Sequence, residues 1–334
     1  MESPLKHFLG ILLFAASAAL AQSSPSSDAF STDPAVAKFA SDLQQRHGFD
    51  AGQLLGQFAQ IRPNATVLKL IEPPSSPVQR SWERYRPRFL NDRRISGGVR
   101  FWQENRVALA RARALYGVPE EIIVAIIGVE TEYGSNTGSF RVLEALATLA
   151  FHYPRRAEFF LTELEQFLLL ARENNMDALA VRGSFAGAIG IPQFMPGSQR
   201  RYAIDFDDDR RIDLSGSVDD AIGSVARFLE QHGWQRGQAI AFRARTRGEP
   251  ERSLIEAGIQ PTLRVGNLAA EGIVADAPAD ATVTLVDLVS PGQATEYWLG
   301  LNNFYVITRY NRSSFYAMSV FQLGEEIRAR LPRP

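Results

Sequence analysis

The run from Gly117 to Gly134 constrains the fold more than any other part of the chain. It opens with Gly117-Val118-Pro119-Glu120-Glu121, which sets a proline near the first helical position and two acids in the first turn. Both suit a helix start, because the missing N–H is not needed there and the helix dipole favours negative charge. The pattern continues through Ile122, Ile123, Val124, Ala125, Ile126, Ile127 and Val129 and stops at Gly134. A helix apolar nearly all round has no face for solvent, so the rest of the chain must fold around it. Glu130 and Glu132 fall in its last turn. A carboxyl group at the end of such a helix is costly to ionise, so its pKa is expected to rise. Held protonated near neutral pH, it could serve as a proton donor. Arginines such as Arg141, Arg155 or Arg156 could instead simply pair with both acids. Glu130 follows Ile123, Ile126 and Ile127 at helical steps, but Glu132 also has apolar residues behind it, and periodicity does not choose between them.

Around this helix the 334 residues suffice for a sizeable core in two or three lobes. The formal net charge of -1, with acids and bases interspersed, gives no electrostatic case for nucleic acid. Lys6, the apolar run Phe8 to Leu20 and Ala19-Leu20-Ala21 spell a signal peptide over residues 1–21, cleaved after Ala21. Its roughly 13 apolar residues fall short of the about 20 that span a bilayer. The chain has no cysteine, hence no disulfide and no lipid-attachment site near the cleavage point. Export to an extracytoplasmic space, as a soluble protein without a membrane anchor, is the expectation.

Residues 22–33 read as a flexible leader, and residues 34–334 as the working region. Helical spacing is expected from Asp33 to about Leu55, and again mostly from Trp82 to Ala171, with a proline-bearing extended stretch around Arg62-Pro63 and Glu72-Pro73-Pro74 between. Residues 183–198 are dense in small residues and suit a tightly packed loop and helix start. Helices are expected over 217–232 and 313–330, and a small strand-containing insert over about 238–295, where Thr282-Val283-Thr284-Leu285-Val286 alternates.

Two further signals carry chemistry. Asp205, Asp207 and Asp209 stand at positions 1, 3 and 5 of a loop whose Ile212 falls at position 8, which resembles an EF-hand calcium loop. Arg211 at position 7 would offer only its backbone carbonyl. Position 6 is Arg210 where that loop has glycine, and the closing acid lies beyond position 12; a solvated acidic turn is the alternative. Tyr297, Trp298, Phe304, Tyr305, Tyr310, Phe315 and Tyr316 cluster with Asn302, Asn303 and Asn311. Aromatics stack on sugar rings and amides reach hydroxyls, although core packing explains most of these residues taken singly.

Taken together, Ile126-Ile127-Gly128-Val129-Glu130-Thr131, Tyr153-Pro154-Arg155-Arg156-Ala157-Glu158, Gly183-Ser184-Phe185-Ala186-Gly187-Ala188, Gln193-Phe194-Met195-Pro196, Ala221-Ile222-Gly223-Ser224-Val225-Ala226 and the stretch Asn303 to Asn311 resemble the membrane-bound lytic murein transglycosylase B family, including its soluble periplasmic members. The resemblance implies an α+β, predominantly helical fold: a lysozyme-like core over about 115–235, a helical lobe completed by the N- and C-terminal segments, and a small inserted β lobe.

It also implies that Glu130, the Glu of Gly-Val-Glu-Thr, is the acid/base. Tyr85, Ser184, Gln193, Phe194, Tyr310, Asn311 and Tyr316 are the implied sugar contacts. Asp205, Asp207, Asp209 and the Arg211 carbonyl are the implied structural calcium ligands, closed by Asp219 or, preferably, Asp220, with no organic cofactor. The implied activity is cleavage of the β-1,4 bond between N-acetylmuramic acid and N-acetylglucosamine in peptidoglycan, leaving a 1,6-anhydromuramoyl end. Partners would be glycan strands and other cell-wall enzymes, the protein acting as a monomer. Ile191-Pro192, where relatives often carry Tyr-Gly, and Arg210 are departures.

Overall fold

The computed structural model describes residues 30–73 and 79–332. The expected signal peptide and residues 22–29 of the expected leader lie outside them; the rest of that leader is ordered, because Phe30 is buried in the core and Asp33 caps the first helix. In chain order the helices are α1 (Pro34–His47), α2 (Ala51–Phe58), α3 (Ala65–Ile71), α4 (Trp82–Tyr85), α5 (Asp92–Glu104), α6 (Arg106–Tyr116), α7 (Glu120–Thr131), α8 (Val142–His152) and α9 (Ala157–Glu173). They continue as α10 (Pro196–Tyr202), α11 (Val218–Gln231), α12 (Arg252–Glu256), α13 (Val265–Leu268), α14 (Asn302–Tyr310) and α15 (Ser314–Arg330). The strands are β1 (Phe140–Arg141), β2 (Arg182–Gly183), β3 (Ala241–Thr246), β4 (Leu263–Arg264), β5 (Ile273–Ala275), β6 (Thr282–Leu288) and β7 (Glu296–Gly300). The fold is mostly helical with a small antiparallel β lobe, as expected.

Two compact units divide the described residues. One, the helical unit, comprises 30–73 and 134–221; the other, the sheet-bearing unit, comprises 79–133 and 222–332.

In the helical unit, local chemistry sets the helix ends. The side chains of Asp33, Asp50 and Asn64 accept hydrogen bonds from the first free N–H groups of α1, α2 and α3. The expected single helical run from Asp33 is cut where Gly48 adopts φ 66°, a left-handed conformation that glycine takes without steric cost. The proline-bearing stretch is likewise interrupted, because Asn64 caps a short α3 between its two proline clusters. Phe30, Phe39, Leu43 and Phe58 pack with Leu146, Phe160 and Phe167 into one buried core.

In the sheet-bearing unit, α7 is the centre. Residues Ile122 to Val129 are all buried, and burying its isoleucines and valines stabilises the fold by on the order of 10 kcal/mol. Helices α5, α6 and α15 pack on it. At Gly324 on α15 a β-carbon would sit 3.0 Å from the Glu121 carbonyl oxygen, so glycine permits this close approach. The five strands run in the order β4-β6-β7-β3-β5, every pair antiparallel. Val283, Leu285 and Leu299 of β6 and β7 lie under Leu268 and Ile273 in a second core. The sheet extends past the expected limit near residue 295, since Tyr297 and Trp298 belong to β7. Among the described residues, no helix is long and apolar enough to cross a membrane.

Candidate active site

Glu130 occupies the last turn of α7, where the chain then leaves the helix abruptly. Glu132 and Tyr133 both take left-handed backbone angles, φ 51° and 62°, which cost non-glycine residues roughly 1–2 kcal/mol each. Packing enforces that turn. The Tyr133 ring lies in a slot made by three glycines: β-carbons at Gly97, Gly98 and Gly128 would come within 2.9, 2.6 and 2.5 Å of it. Its hydroxyl donates to the Arg94 carbonyl at 2.7 Å, and Arg94 Nε donates to the Gly128 carbonyl at 3.1 Å. Glu132, swung off the helix, pairs with Arg93. The two glutamates that periodicity could not separate are thus separated by the turn between them.

Glu130 is half-buried and stays with the apolar helix end. Tyr316, on the first turn of α15, donates its hydroxyl to Glu130 Oε1 at 2.6 Å. Desolvation outweighs that donor and raises the carboxyl pKa from 4.5 to about 7. No cation is among the groups setting its ionisation. The carboxyl therefore exchanges a proton near neutrality, which suits both giving and taking one.

Three tyrosines surround it. Tyr310, at the end of α14, stacks on Tyr316 with 14° between ring planes. Burial drives both phenols well above their ordinary pKa, with the nearby Glu130 charge acting in the same direction. Tyr85 is pushed up to about 12, again chiefly by burial and then by Glu130. It packs against Trp82, Phe89 and Phe315. Asn311 follows Tyr310 directly, and its Oδ1 is buried with no hydrogen-bond partner. Leaving such an acceptor unpaired costs about 1–3 kcal/mol. Of the expected sugar contacts, Tyr85, Tyr310, Asn311 and Tyr316 therefore fall in the same unit as Glu130.

The other three belong to the helical unit. Ser184 Oγ accepts from the Ala188 N–H at 3.0 Å, closing the loop after β2. Gln193 adopts φ 52°, and its amide nitrogen donates to the carbonyls of Thr137 and Gly190. Phe194 is bridged through its backbone to Ile189 and is 2% exposed, so its ring has little surface for a ligand. The small-residue stretch 183–198 is thus a loop locked by its own backbone up to Met195, with α10 starting at Pro196. Tyr133 and its glycine slot went unnoticed in the sequence, although a tyrosine directly before Gly134 was the available signal.

In the acidic loop, one carboxylate oxygen from each of Asp205, Asp207 and Asp209 lies within 4.8 Å of the others. All are hard oxygen donors, as calcium requires. Arg210 adopts φ 73°, and so reproduces the left-handed turn for which an EF-hand loop uses glycine. That removes the objection to arginine at position 6. Asp220 is buried and braces the loop: Oδ1 accepts from the Phe206 N–H at 2.6 Å and Oδ2 from the Asp213 N–H at 2.8 Å. It is not among the three carboxylates that converge.

Comparisons with known proteins give the family. The family described as Transglycosylase SLT domain matches residues 31–325. Membrane-bound lytic murein transglycosylase B of Escherichia coli (strain K12) is 43% identical over 313 residues, covering 89% of this chain and 84% of that protein. The crystal structure of soluble lytic transglycosylase SltB1 from Pseudomonas aeruginosa is 49% identical with a TM-score of 0.81, over 89% of this chain and 99% of the other. An Escherichia coli lytic transglycosylase structure in complex with calcium is 42% identical with a TM-score of 0.82, over 90% of this chain and 94% of the other.

Proposed function

Because the chain belongs to the Transglycosylase SLT domain family, as a lytic murein transglycosylase acting on peptidoglycan, we propose that Glu130 is its one catalytic acid and base. The carrying observation is a half-buried carboxyl with a pKa of about 7, held by Tyr316 at 2.6 Å. Protonated Glu130 gives its proton to the oxygen linking N-acetylmuramic acid to N-acetylglucosamine. The substrate's own acetamido group carries the developing positive charge, since the family motifs supply no second catalytic carboxylate. Glu130, now a carboxylate, takes the proton of the muramoyl C6 hydroxyl. The C6 oxygen bonds to C1, which closes a 1,6-anhydro ring, and no water is consumed.

Tyr85, Tyr310, Asn311 and Tyr316, in the unit that carries Glu130, are proposed contacts to the glycan, as are Ser184 and Gln193 in the helical unit; Phe194, expected as a contact, is 2% exposed and instead supports that loop from within. The Asp205, Asp207 and Asp209 carboxylates with the Arg211 carbonyl hold a structural calcium ion, in a loop whose ends Asp220 ties together. Residues 1–21 direct export, and the protein works in the periplasm as a soluble monomer alongside other cell-wall enzymes.

Digestion of purified sacculi tests the chemistry. Mass spectrometry should find muropeptides one water lighter than hydrolysis products. Reducing muramic ends would identify a hydrolase instead, and no release at all a non-catalytic wall-binding protein.

A further inference from the structure

Tyr85 and Glu130 come from elements far apart in sequence, α4 and the end of α7, yet they lie close enough for the Glu130 charge to act on the phenol. A proton donor and a wall of its site work together only at a fixed spacing, since a misplacement of about 1 Å can cost on the order of 100-fold in rate. Neither element sets that spacing by itself. Helix α4 has four residues and runs straight into the 3₁₀ turn Arg86–Arg88. So short a helix has little stability of its own and takes its place from what it is tied to.

Arg94, in the first turn of α5, spans the two. Its Nε donates to the Gly128 carbonyl at 3.1 Å, in the last turns of α7 and just before Glu130. Its Nη1 donates to the Arg88 carbonyl, at the end of the turn that follows Tyr85. The guanidinium also lies over the Phe89 ring, 5.4 Å from its centroid, and Phe89 packs on Tyr85 with ring centroids 5.3 Å apart. A guanidinium is planar and its donors leave at fixed angles, so one rigid group sets the separation of two carbonyls.

The root of this side chain is held as well. The Arg94 N–H donates to the Asn91 side-chain oxygen at 3.0 Å, and the Arg94 carbonyl accepts from the Tyr133 hydroxyl at 2.7 Å. The Asn91 amide nitrogen reaches back to the Pro87 and Arg88 carbonyls at 3.2 and 3.4 Å. Both ends of Arg94 therefore tie the segment after Tyr85 to the turn after Glu130. Its charge is spent elsewhere: Glu132 and Tyr133 are the acidic groups acting on the guanidinium, while burial and the Tyr316 hydroxyl set the ionisation of Glu130.

We propose that Arg94 is a positioning residue for the transglycosylase reaction, a fork that holds the Tyr85 wall at a fixed distance from the Glu130 carboxyl; this rests on the reading of Glu130 as acid and base. The role is specific to arginine, because a lysine ammonium is a single point that holds one carbonyl at a time.

The test is the pH–rate profile of kcat for anhydromuropeptide release from uncrosslinked glycan strands, with the full chain as parent, Arg94→Met and Arg94→Lys. Methionine keeps much of the aliphatic packing and loses the donors. Freed from the fork, the Tyr85 wall admits water to Glu130, whose pKa falls from about 7 toward its ordinary 4.5. In Arg94→Met the alkaline limb should therefore move down by about one unit. Its kcat should drop about tenfold or more, with KM changed less than about threefold. Arg94→Lys should fall between Arg94→Met and the parent on both measures. Loss of a nearby cation has the opposite sign, since it raises a carboxyl pKa. A limb moved upward in Arg94→Met, with Arg94→Lys like the parent, would make Arg94 a counter-charge and overturn the proposal. An unmoved limb would reduce it to a contact of the fold and overturn the proposal too. Asn91→Ser keeps a helix cap and loses the two donations to Pro87 and Arg88. It should move the limb the same way by less, and if Arg94→Met did not fold, an unmoved limb in Asn91→Ser would be the overturning result. Failure of the acid/base reading would show separately, as turnover retained by Glu130→Gln.

Discussion

Glu130 and the loop Asp205-Asp207-Asp209 are both acidic sites, and the protein treats their charge in opposite ways. At Glu130 a single carboxyl is walled by an apolar helix and three tyrosines, and its ionisation is made costly. In the loop three carboxylates crowd together at a largely exposed turn, and backbone N–H groups turn toward them: Asp209 N–H to Asp205 and Asp207, Arg210 N–H to Asp205. The first arrangement prepares a proton to move near neutral pH. The second keeps negative charge in place for a cation. Environment, rather than residue type, decides which work a carboxylate does.

The sharpest way to break this comparison is Glu130→Gln. Removing the acid/base should cut anhydromuropeptide release by about 10³-fold or more while the circular dichroism spectrum is kept. Retained turnover would transfer the role elsewhere. The same variant should be more stable than the parent at alkaline pH. Below pH 4.5 Glu130 is protonated folded and unfolded, so it costs nothing. As pH rises, the unfolded carboxyl ionises first, and stability falls until the folded group ionises near 7. The accumulated penalty is about 3 kcal/mol by pH 8, which the variant should recover in denaturant melts and lose again at pH 4.

Tyr316→Phe sharpens the comparison from the donor side. The hydroxyl lowers the Glu130 pKa against the pull of burial, so its loss should raise that pKa by about one to two units. Glu130 must start protonated, so activity falls as pH passes its pKa, and the alkaline limb of the pH–rate profile should move upward by that amount. An unmoved limb would mean that Tyr316 does not tune the reacting group.

How far the two sites could be read from sequence differs for a physical reason. The loop is local: alternating aspartates over five positions are enough to suggest oxygen ligands. Even there, the brace from Asp220 rests on N–H groups of Phe206 and Asp213, and whether Arg210 could turn like glycine needed backbone angles. The apolar run around α7 announced a buried helix with a hard-to-ionise carboxyl, but helical spacing treats Glu130 and Glu132 alike. What separates them is a left-handed turn enforced by Tyr133 against glycines of α5 and α7, a contact between distant segments. Family motifs bridged that gap without explaining it. Helix α14 was read only as an aromatic and amide cluster, because Asn302 and Asn303 carry little helical signal; its fixed place comes from Asn303 binding the turn after α11.

For the loop, the expected effect is on stability. Calcium at about 100 times its dissociation constant should add about 2.7 kcal/mol, a rise of about 5 °C in melting midpoint that a chelator reverses and Asp207→Asn abolishes. Glu130-dependent turnover at a temperature well below melting should persist with the chelator. A midpoint indifferent to both calcium and chelator would leave the loop an acidic turn and reduce the contrast to burial alone.

The smallest effect tests whether two residues suffice to change a glutamate's role. Glu132 sits just past Glu130, but its side chain meets Arg93, whose own side chain is 80% exposed. A pair so open to solvent contributes at most about 1 kcal/mol. Glu132→Gln should therefore lower stability by no more than that. Turnover should fall severalfold at most, through slight loosening of the turn that Tyr133 holds. Activity and melting should both lose their difference from the parent in high salt, where the ion pair is screened. If instead Glu132→Gln abolished anhydromuropeptide release and Glu130→Gln did not, the proton would be moving at the charged, solvated end of the turn, and desolvation at Glu130 would be an incidental feature of a buried helix.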